Sequence, residues 1–551
     1  MLAQDARWEI NATLTDKGFR HYDSRPDAYR GSLRVGHASV EIEIDVVDLA
    51  FAKLPKVKLL SRGQLSGIQI AHLETDSGIC YADETLLRLD SYQPGASVLR
   101  VLEEVQATIL KSFAGRSADE IAAEYQRYWA GRPLQVVFSK SVGPTRAFIA
   151  QPIRGSGATQ PIVVRRGDEC PQGYQPTTLQ CLVLGMNQQL KPTAAVSVPK
   201  TLAELKAWYA SQPQSDLPAF GTIFNSLCAD ECVLILAENA WLGFRLDTPA
   251  EASAIANPRP QFIRRYLLSR PEKIGLTRYS GQECSLTHVT SRCLNKPASP
   301  LENKKVAVVG CGTVGSHLAR FMVQSGAGCG GQLALIDADL VSASNLGRHL
   351  LNFADIGSAK ATALAHDLKR FHPDVQIKAH ESPIADAWSR LSGFDLIIDA
   401  TGIEAVSDFM NAKALDKRRS GAEVALLHVW LFGNGIAAQT FMNAGKGLAC
   451  YRCLRPELDK AWLNDPRIEP GESGTIVPTS CGDGAYLPYS VDAPVRAACI
   501  ALRAALDFFS EQPGPTLRTD RVDPSSAKLV KAKSPSPHVR CPACRDVKAT
   551  S

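Results

Sequence analysis

Hydrophobic and polar residues alternate near the start of the chain in a pattern typical of β-strands. Between residues 33 and 60, branched apolar residues alternate with charged ones, and the range ends in the segment LPKVKLL. After a polar loop, hydrophobic residues recur at helical spacing over about 95–113 and 117–131. The pattern predicts a small α+β domain over residues 1–132, with strands followed by helices.

The remainder of the chain has two further patterns. Residues 133–300 contain several apolar segments typical of strands and one segment typical of a helix, TLAELKAWYASQ, so we interpret them as a mixed α/β linker domain without recognisable chemistry. Over residues 301–551, apolar strand-like runs alternate with helical stretches, which predicts an α/β domain with a buried parallel sheet. A segment rich in Pro, Ser and Lys, about 512–540, predicts an extended or mobile tail.

Composition narrows the range of partners and compartments. Of the 551 residues, 45% are hydrophobic and 21% are charged, and the formal net charge is only +5. No basic block is present, so we expect neither nucleic acid nor an anionic membrane as a partner. The N-terminal residues lack the features of a signal peptide, and no apolar run approaches the roughly 20 residues that span a bilayer. We therefore expect a cytoplasmic protein.

The chain contains 15 cysteines, an odd number that argues against a disulfide framework. Cys450-x-x-Cys453 and Cys541-x-x-Cys544 are two pairs with the spacing of zinc knuckles, and four thiolates suit a closed tetrahedral site. We therefore predict a structural zinc ion that fastens the tail to the domain. Two unrelated reduced pairs, or a redox-active pair, are the alternatives.

A glycine-rich segment, VAVVGCGTVG, joins a predicted strand to a predicted helix. Gly310, Gly312 and Gly315 form the pattern G-x-G-x-x-G, in which the backbone approaches a phosphate and the helix N-terminus attracts it. Asp337 ends the next strand about 20 residues later, where a carboxylate suits a ribose hydroxyl. Taken alone, this loop is a weak signal, for which NAD binding is the default interpretation.

The residues that follow favour ATP over a dinucleotide. The motifs D-x-D (337–339), S-N-L-x-R (344–348) and G-x-x-K (357–360) resemble the ATP site of the ThiF, MoeB and E1 superfamily. An asparagine, an arginine and a lysine beside the loop can neutralise a triphosphate. The resemblance implies a Rossmann-like adenylation domain that binds ATP and Mg²⁺. Solvated loop charges are the alternative. The nucleotide-binding residues implied are Asp337, Asp339, Asn345, Arg348 and Lys360, with Asp337 at the ribose and the last three at the phosphates.

One position departs from the superfamily's pattern. The third strand ends in Asp399-Ala-Thr-Gly402, where the superfamily commonly has D-C-T-D with its second aspartate near magnesium. Asp399 is included among the cofactor-binding residues, and either Asp399 or Glu404 substitutes for the missing carboxylate. The superfamily also uses an arginine from before the glycine loop, often from a dimer partner, so the resemblance implies a homodimer and leaves Arg278 and Arg292 as candidates.

Cys481 is the predicted cysteine of the activating domain. It lies in TSCGDGAYLP, just before a predicted helix, APVRAACIALRAALDFF. In the superfamily, the acyl-accepting cysteine is found on a loop before such a proline and helix. A loop lets the thiol reach an adenylate, and a helix N-terminus favours the thiolate. A passive loop cysteine is the alternative.

A second candidate cysteine lies in the N-terminal region. His72, then Gly78-Ile-Cys80, then Tyr92-Gln-Pro94 and a predicted helix resemble the ubiquitin-conjugating (E2, UBC-like) fold, which has H-P-N, G-x-I-C and W-x-P before a helix. Cys80 matches the conjugating cysteine. Leu-Glu replaces Pro-Asn after His72, so backbone N–H groups or another side chain must stabilise the oxyanion. A small α+β domain with a buried Cys80 is the alternative.

Together the motifs resemble bacterial E2–E1 fusion proteins of antiphage operons, including those found with CBASS cyclic-nucleotide synthases. The resemblance implies adenylation of a protein C-terminus, transfer to Cys481 and then Cys80, and conjugation to a target amine. The substrate is either a cyclic-nucleotide synthase or a ubiquitin-like protein. A ThiF- or MoeB-like activator of a sulfur-carrier protein and a non-enzymatic, nucleotide-retaining scaffold are the alternatives.

Overall fold

The chain forms two compact units, Met1–Glu283 and Cys284–Ser551. A computed structural model describes residues 3–22, 25–61, 71–73, 77–83, 85–113, 117–191, 198–247, 260–292, 298–422, 424–445, 447–469, 487–510 and 514–544. In the described part of the chain, no helix is both long enough and apolar enough to cross a bilayer.

The first part of unit 1 is an antiparallel sheet covered by helices. The sheet has the order β1-β2-β3-β4, and its buried face contributes Ile42 and Ile44 to a core that also holds Val98, Val101 and Val105 of the long helix. This agrees with the predicted α+β arrangement. The elements are α1 (Ala3–Asp16), β1 (Arg20–His21), β2 (Ala28–Val35), β3 (Ala38–Asp45), β4 (Lys56–Ser61), α2 (Pro94–Phe113), α3 (Ser117–Ala123) and α4 (Tyr125–Trp129).

Helix α1 was not predicted from the hydrophobic pattern. Its buried stripe is narrow, with Ala6, Ile10 and Leu14 spaced one per turn, while Trp8 on another face is 72% exposed. A stripe one residue wide gives little periodicity in the sequence. The helix is stabilised by packing against α2 rather than by its own hydrophobic periodicity.

The second part of unit 1 is a closed barrel with the strand order β10-β11-β5-β7-β6-β8-β9. Strand β9 is buried along its whole length, because Cys232 and Leu234 join a cluster of strand residues while Val233 and Ile235 pack with the covering helices. Burial on both faces explains its continuous apolar sequence. The elements are β5 (Arg132–Val136), β6 (Gly143–Pro152), β7 (Ile162–Arg165), β8 (Tyr174–Gly185), α5 (Leu202–Ala210), α6 (Phe220–Cys228), β9 (Cys232–Leu236), β10 (Trp241–Leu246), α7 (Pro260–Ser269) and β11 (Leu276–Glu283).

Unit 2 contains the predicted parallel sheet. Its seven strands have the order β14-β13-β12-β15-β16-β17-β18, and the first five are parallel. The elements are α8 (Leu286–Ser291), β12 (Lys305–Val309), α9 (Thr313–Gln324), β13 (Gln332–Ile336), α10 (Lys360–Lys369), β14 (Ile377–His380), α11 (Ile384–Ala387), β15 (Leu396–Asp399), α12 (Glu404–Arg419), β16 (Leu426–Phe432), β17 (Ala437–Asn443), α13 (Asp492–Phe508) and β18 (Leu517–Arg521).

The strand order reverses at β12, which lies between β13 and β15. Crevices beyond the carboxyl ends of the strands at such a switch point are where open α/β sheets bind ligands. Of the two alternatives for the tail, extended or mobile, part of it is extended, because β18 pairs with β17 in antiparallel register.

Candidate functional site

The glycine loop leaves the carboxyl end of β12 in a turn that only small residues allow. Gly310 has φ +86, and a Cβ on Gly315 would lie 1.8 Å from the carbonyl oxygen of Gly310. Gly312 precedes the first residue of α9, with open space where a side chain would project. The loop therefore presents bare backbone and a helix N-terminus to the space above the sheet.

A pocket of about 510 Å³ lies above this loop at the switch point. Among the residues lining it are Gly310, Gly312, Asp337, Asp339 and Lys360. The Asp337 carboxylate is held by two backbone N–H groups, from the residue after Gly310 at 2.6 Å and from Asp339 at 2.8 Å. The Lys360 ammonium lies 2.9 Å from the Asp339 carboxylate, whose side chain is 72% exposed. Five of the predicted residues thus share one pocket.

Asn345 and Arg348 follow the Asp337–Asp339 segment in the sequence. The Asn345 side-chain oxygen Oδ1 accepts a hydrogen bond from the backbone N–H of Ser342 at 3.1 Å, which closes a short 3₁₀ turn. The Arg348 guanidinium stacks on the Tyr489 ring, 4.3 Å from its centroid, and donates to the Leu487 carbonyl at 3.3 Å. Tyr489 and Leu487 line the pocket, whereas Asn345 and Arg348 are not among its described lining residues.

Asp399 lies behind the pocket wall and is only 1% exposed. Its carboxylate accepts hydrogen bonds from the Thr401 hydroxyl at 2.7 Å, from Ser407, and from His428 Nδ1 at 2.9 Å. Burial raises the pKa of Asp399, but the bonds from these neighbours outweigh burial and hold the pKa below its ordinary value. Asp399 therefore orders the backbone at Thr401, and Thr401 itself faces the pocket.

Gly402, which replaces the superfamily's second aspartate, and Glu404, a candidate to substitute for it, differ in accessibility. Gly402 lines the pocket with φ +66 and open space at its Cβ position. Glu404, at the start of α12, is paired with Arg455, with the shorter contact at 2.7 Å. The two candidate arginines belong to different units, Arg278 to β11 of unit 1 and Arg292 to the end of α8 in unit 2.

His349 supports the glycine loop from below and was not identified from the sequence. It is buried, and Nε2 lies 2.7 Å from the Cys311 carbonyl while Nδ1 accepts the Leu351 N–H at 3.0 Å. Since Nδ1 is an acceptor, Nε2 is the donor and the ring is neutral. Burial accordingly lowers the pKa of His349 below its ordinary value of 6.5.

The four predicted knuckle cysteines come together in one buried cluster. The Sγ atoms of Cys450 and Cys541 are 3.7 Å apart, and those of Cys453 and Cys544 are 3.4 Å apart. All four lie within 4.8 Å of one another. A tetrahedral site with bonds of about 2.3 Å to sulfur has edges of about 3.8 Å. In addition, the His538 backbone N–H points at Cys453 Sγ. The cluster therefore has the ligands and the size to hold one metal ion.

The predicted activating cysteine, Cys481, lies outside the described residues. The predicted helix after it is present as α13 (Asp492–Phe508) and is buried along one face. The described residues Leu487 and Tyr489, between Cys481 and α13, line the pocket above the glycine loop.

In unit 1, Cys80 lies at the end of a short extended segment beside β4. The backbone N–H of Ile79 donates to the Val57 carbonyl at 2.8 Å, and that of Cys80 donates to the His72 carbonyl at 2.9 Å. Cys80 is half-buried and lines a cleft of about 810 Å³ together with Lys58 and other residues. The thiol is therefore accessible rather than sealed in the core.

Helix α4 forms a second wall of this cleft. His72 has φ +62, and its backbone N–H donates to the Tyr128 hydroxyl at 2.6 Å. Its imidazole Nδ1 lies 3.0 Å from the Glu124 carboxylate. An Arg127 guanidinium nitrogen lies 3.5 Å from Cys80 Sγ. The sequence analysis did not identify Glu124, Arg127 or Tyr128, because these residues belong to no motif.

Two protein families match the chain. The family described as ThiF matches residues 293–481, and Prokaryotic E2 family B matches residues 5–134. The "ATP-dependent ubiquitin transferase-like protein Cap2" of Pseudomonas aeruginosa is 27% identical over 522 residues, covering 90% of each chain. The protein of the same name from Vibrio cholerae is 25% identical over 490 residues, covering 81% of each chain.

A further relative matches less than half of the chain. The "Adenylyltransferase and sulfurtransferase MOCS3" of Mus musculus is 29% identical over 233 residues, which is 42% of this chain and 44% of that protein. The residues matched by the E2 family include the Cys80 cleft of unit 1. The residues matched by the ThiF family include the glycine loop and most of the residues that line its pocket in unit 2. The chain is therefore a bacterial E2–E1 fusion, an enzyme of the ubiquitin-like activating and conjugating type.

Proposed function

We propose that the chain uses ATP to activate a protein C-terminus and conjugates it to a target amine through two successive thioesters. A carboxylate oxygen of the substrate attacks the α-phosphorus of ATP, and pyrophosphate leaves. The Cys481 thiolate attacks the resulting acyl adenylate and displaces AMP. The Cys80 thiolate then takes the acyl group by thioester exchange, and an amine forms the amide while Cys80 leaves as thiolate.

One observation carries this proposal. A single chain holds a glycine-loop pocket within the residues matched by the ThiF family and an accessible thiol, Cys80, within those matched by the prokaryotic E2 family. A nucleotide pocket alone would fit many enzymes, and an accessible thiol alone would fit many others. The combination in one chain favours activation followed by transfer to Cys80.

The pocket residues divide the work of binding ATP. Gly310, Gly312 and Gly315 give the phosphates access to backbone N–H groups, and Asp337 is oriented by two of its own hydrogen bonds toward a ribose. Lys360 supplies a cation on the pocket wall. We assign Asn345 and Arg348 to the phosphates because they match the superfamily's residue pattern. Arg348 also contacts Tyr489, which lines the pocket.

The metals have separate roles in this proposal. Mg²⁺ accompanies ATP and supplies charge neutralisation at the phosphates. Asp399 is enclosed by its own hydrogen bonds, so the exposed Asp339 is the better carboxylate to hold Mg²⁺, and Asp399 acts by positioning Thr401. Zn²⁺ in the four-cysteine cluster is structural, because four protein thiolates leave no open position.

The substrate class follows from the resemblance to fusions of antiphage operons. We propose that a cyclic-nucleotide synthase or a ubiquitin-like protein supplies the C-terminus, that the chain acts in antiphage defence, and that it works as a homodimer. A sulfur-carrier activator is the second candidate. It is supported by the Mus musculus relative, but that similarity covers 42% of this chain. It leaves Cys80 without a role.

Pyrophosphate exchange tests the first half of the reaction. The full chain should exchange labelled pyrophosphate into ATP only when a peptide bearing the candidate substrate's C-terminus is present. The Cys80→Ser variant should exchange at the wild-type rate, since Cys80 acts after adenylation. Absence of exchange with every candidate C-terminus, from a folded chain that binds ATP, would favour the scaffold alternative.

Trapping of adducts tests the second half. On a non-reducing gel the wild-type chain should form substrate adducts that a thiol reagent cleaves. The Cys80→Ser variant should retain a thiol-sensitive adduct at Cys481 and lose target conjugation, whereas Cys481→Ser should lose both thiol-sensitive adducts. Conjugation that persists without Cys80 would contradict the proposal.

A further inference from the structure

The Cys80 site lacks the usual donor for an oxyanion. The sequence has Leu73 where the conjugating fold has the first of its Pro-Asn pair, so the familiar asparagine is missing. When an amine adds to a thioester carbonyl, negative charge develops on the carbonyl oxygen, and a preorganised donor there lowers the barrier. Another group of this chain must supply that donor.

The backbone N–H groups of Cys80 and of the residue before it are already used. The N–H of Ile79 donates to the Val57 carbonyl at 2.8 Å, and the N–H of Cys80 donates to the His72 carbonyl at 2.9 Å. These bonds fasten the cysteine segment to the sheet and to the loop before it. With both N–H groups occupied, the side chains of the described residues that line the cleft are the next candidates.

The charged groups around the thiol point to one residue. His72 is held by Glu124 at 3.0 Å, with Glu120 at 3.7 Å from its other nitrogen. An Arg127 nitrogen contacts Cys80 Sγ at 3.5 Å. The further charged groups among the described lining residues are lysines and one carboxylate, and they lie on other elements: Lys53, Lys56, Lys58, Lys111 and Asp83. Arginine carries five donors in a planar fork and stays charged at every relevant pH.

The position of Arg127 is set by the barrel rather than by the E2-like sheet. Helix α4 buries Tyr125 and Trp129 fully in the barrel's helix-covered core. The Trp208 indole N–H donates to the Tyr125 hydroxyl at 2.6 Å, and the Trp129 indole N–H donates to the Gly243 carbonyl at 3.2 Å. With one face of α4 fixed in this way, the other face presents Arg127 to Cys80.

We propose that Arg127 is a catalytic residue of acyl transfer at Cys80 and that the barrel serves to hold it there. This inference rests on the proposed function of Cys80. The amine nitrogen bonds to the thioester carbon, the carbonyl electron pair moves to oxygen beside the Arg127 guanidinium, and the amine proton passes to solvent. The carbon–sulfur bond then breaks, and its electron pair leaves on Cys80 Sγ, next to the same cation.

Chemical loading tests Arg127 without the unidentified substrate. A short peptide that ends in glycine, as its mercaptoethanesulfonate thioester, would load Cys80 of the full chain in a Cys481→Ser background. Discharge to free lysine would be followed by intact-mass measurement, with the loaded residue located by peptide mapping. We expect Arg127→Gln to slow discharge roughly 100-fold, the usual effect of losing one oxyanion donor.

Two variants make the result specific. Arg127→Lys keeps a cation and should recover part of the lost rate, which also covers the case in which Arg127→Gln fails to fold. Arg100→Gln, on α2 with a side chain that is 60% exposed, should discharge as the wild type does. Equal discharge rates for the wild type and a folded Arg127→Gln would overturn the role of Arg127 alone. If the Cys481→Ser chain with Arg127 intact cannot be loaded or discharged at Cys80, the proposed function is overturned instead.

Discussion

The nucleotide pocket of unit 2 and the Cys80 cleft of unit 1 are built in different ways. The pocket lies at the ends of neighbouring parallel strands, and backbone groups of the same sheet hold its key carboxylate, Asp337. The cleft joins an extended segment beside β4 to a helix whose other face belongs to a barrel. A site made by one sheet depends on local backbone geometry, whereas a site between two layers depends on how each layer is fixed.

This difference predicts that the two sites fail separately. Changes that disturb the sheet or its four-cysteine cluster should abolish adenylation and spare the chemistry of Cys80. Changes that disturb the fixing of α4 should slow transfer at Cys80 and spare adenylation. The experiments below test this separation, from the largest expected effect to the smallest.

Loss of the metal from the four-cysteine cluster should have the largest effect. Structural zinc sites contribute an apparent 10 kcal/mol or so to folding, so a chelator or Cys541→Ser should unfold part of unit 2 and abolish pyrophosphate exchange. Alkylation of Cys80 should persist. Metal analysis should give one zinc per chain, and Cys499→Ser, at an exposed cysteine, should retain it. A chain without metal that keeps its unfolding temperature would contradict this prediction.

Gly315→Ala should be the next most damaging change. Its Cβ would overlap the Gly310 carbonyl oxygen at 1.8 Å, so we expect a loss of about 3 kcal/mol in the free energy of unfolding. Gly312→Ala meets no atom within 4 Å and should leave stability unchanged, yet its methyl group should block the phosphates and stop exchange. Thermal unfolding and pyrophosphate exchange measure the two effects. If Gly312→Ala exchanges normally, the phosphates do not approach this backbone.

Lys360→Gln should weaken ATP binding without unfolding the chain. Loss of a charged hydrogen-bonding group costs about 1.5–3 kcal/mol, or roughly 10- to 100-fold in affinity. Titration calorimetry with ATP measures this directly. Lys369→Gln, at the exposed end of the same helix, is the matched control and should bind as the wild type does. Equal affinities for the two variants would remove Lys360 from the site.

Tyr125→Phe should slow discharge of loaded Cys80 while pyrophosphate exchange stays normal. The change leaves the buried Trp208 N–H without its acceptor, at a cost of about 1–3 kcal/mol, and loosens the face of α4 that is fixed in the barrel. Tyr92→Phe, at a side chain that is 81% exposed, controls for removal of a hydroxyl. Destabilisation without slower discharge would show that the barrel does not position Arg127.

The pH dependence of unit 2 should show the smallest effect. Because burial lowers the pKa of His349, its neutral form stabilises the fold fully above its ordinary pKa of 6.5, and this contribution is lost as the pH falls below that value. His349→Gln should therefore flatten the fall in unfolding free energy between about pH 7 and 5. His366→Gln, at an exposed histidine of α10, should keep the wild-type slope. Equal slopes for His349→Gln and the wild type would contradict the assignment.

The sequence alone determined the features that depend on neighbouring residues. The glycine loop, the acidic residue after the next strand and the parallel sheet were predictable, because backbone sterics and two-sided burial impose local patterns. The two C-x-x-C pairs predicted a cluster, because each pair is a unit of metal-binding geometry. The segment G-x-I-C gave Cys80 by resemblance.

The tertiary structure alone decided what depends on distant contacts. The closed barrel, the narrow stripe of α1, the burial of Asp399 behind the pocket wall and the approach of Arg127 to Cys80 have no local pattern. Each joins residues that are separated by tens of positions and brought together only by packing. Side-chain spacing along one element cannot specify such contacts, because the hydrophobic effect that drives them is non-directional.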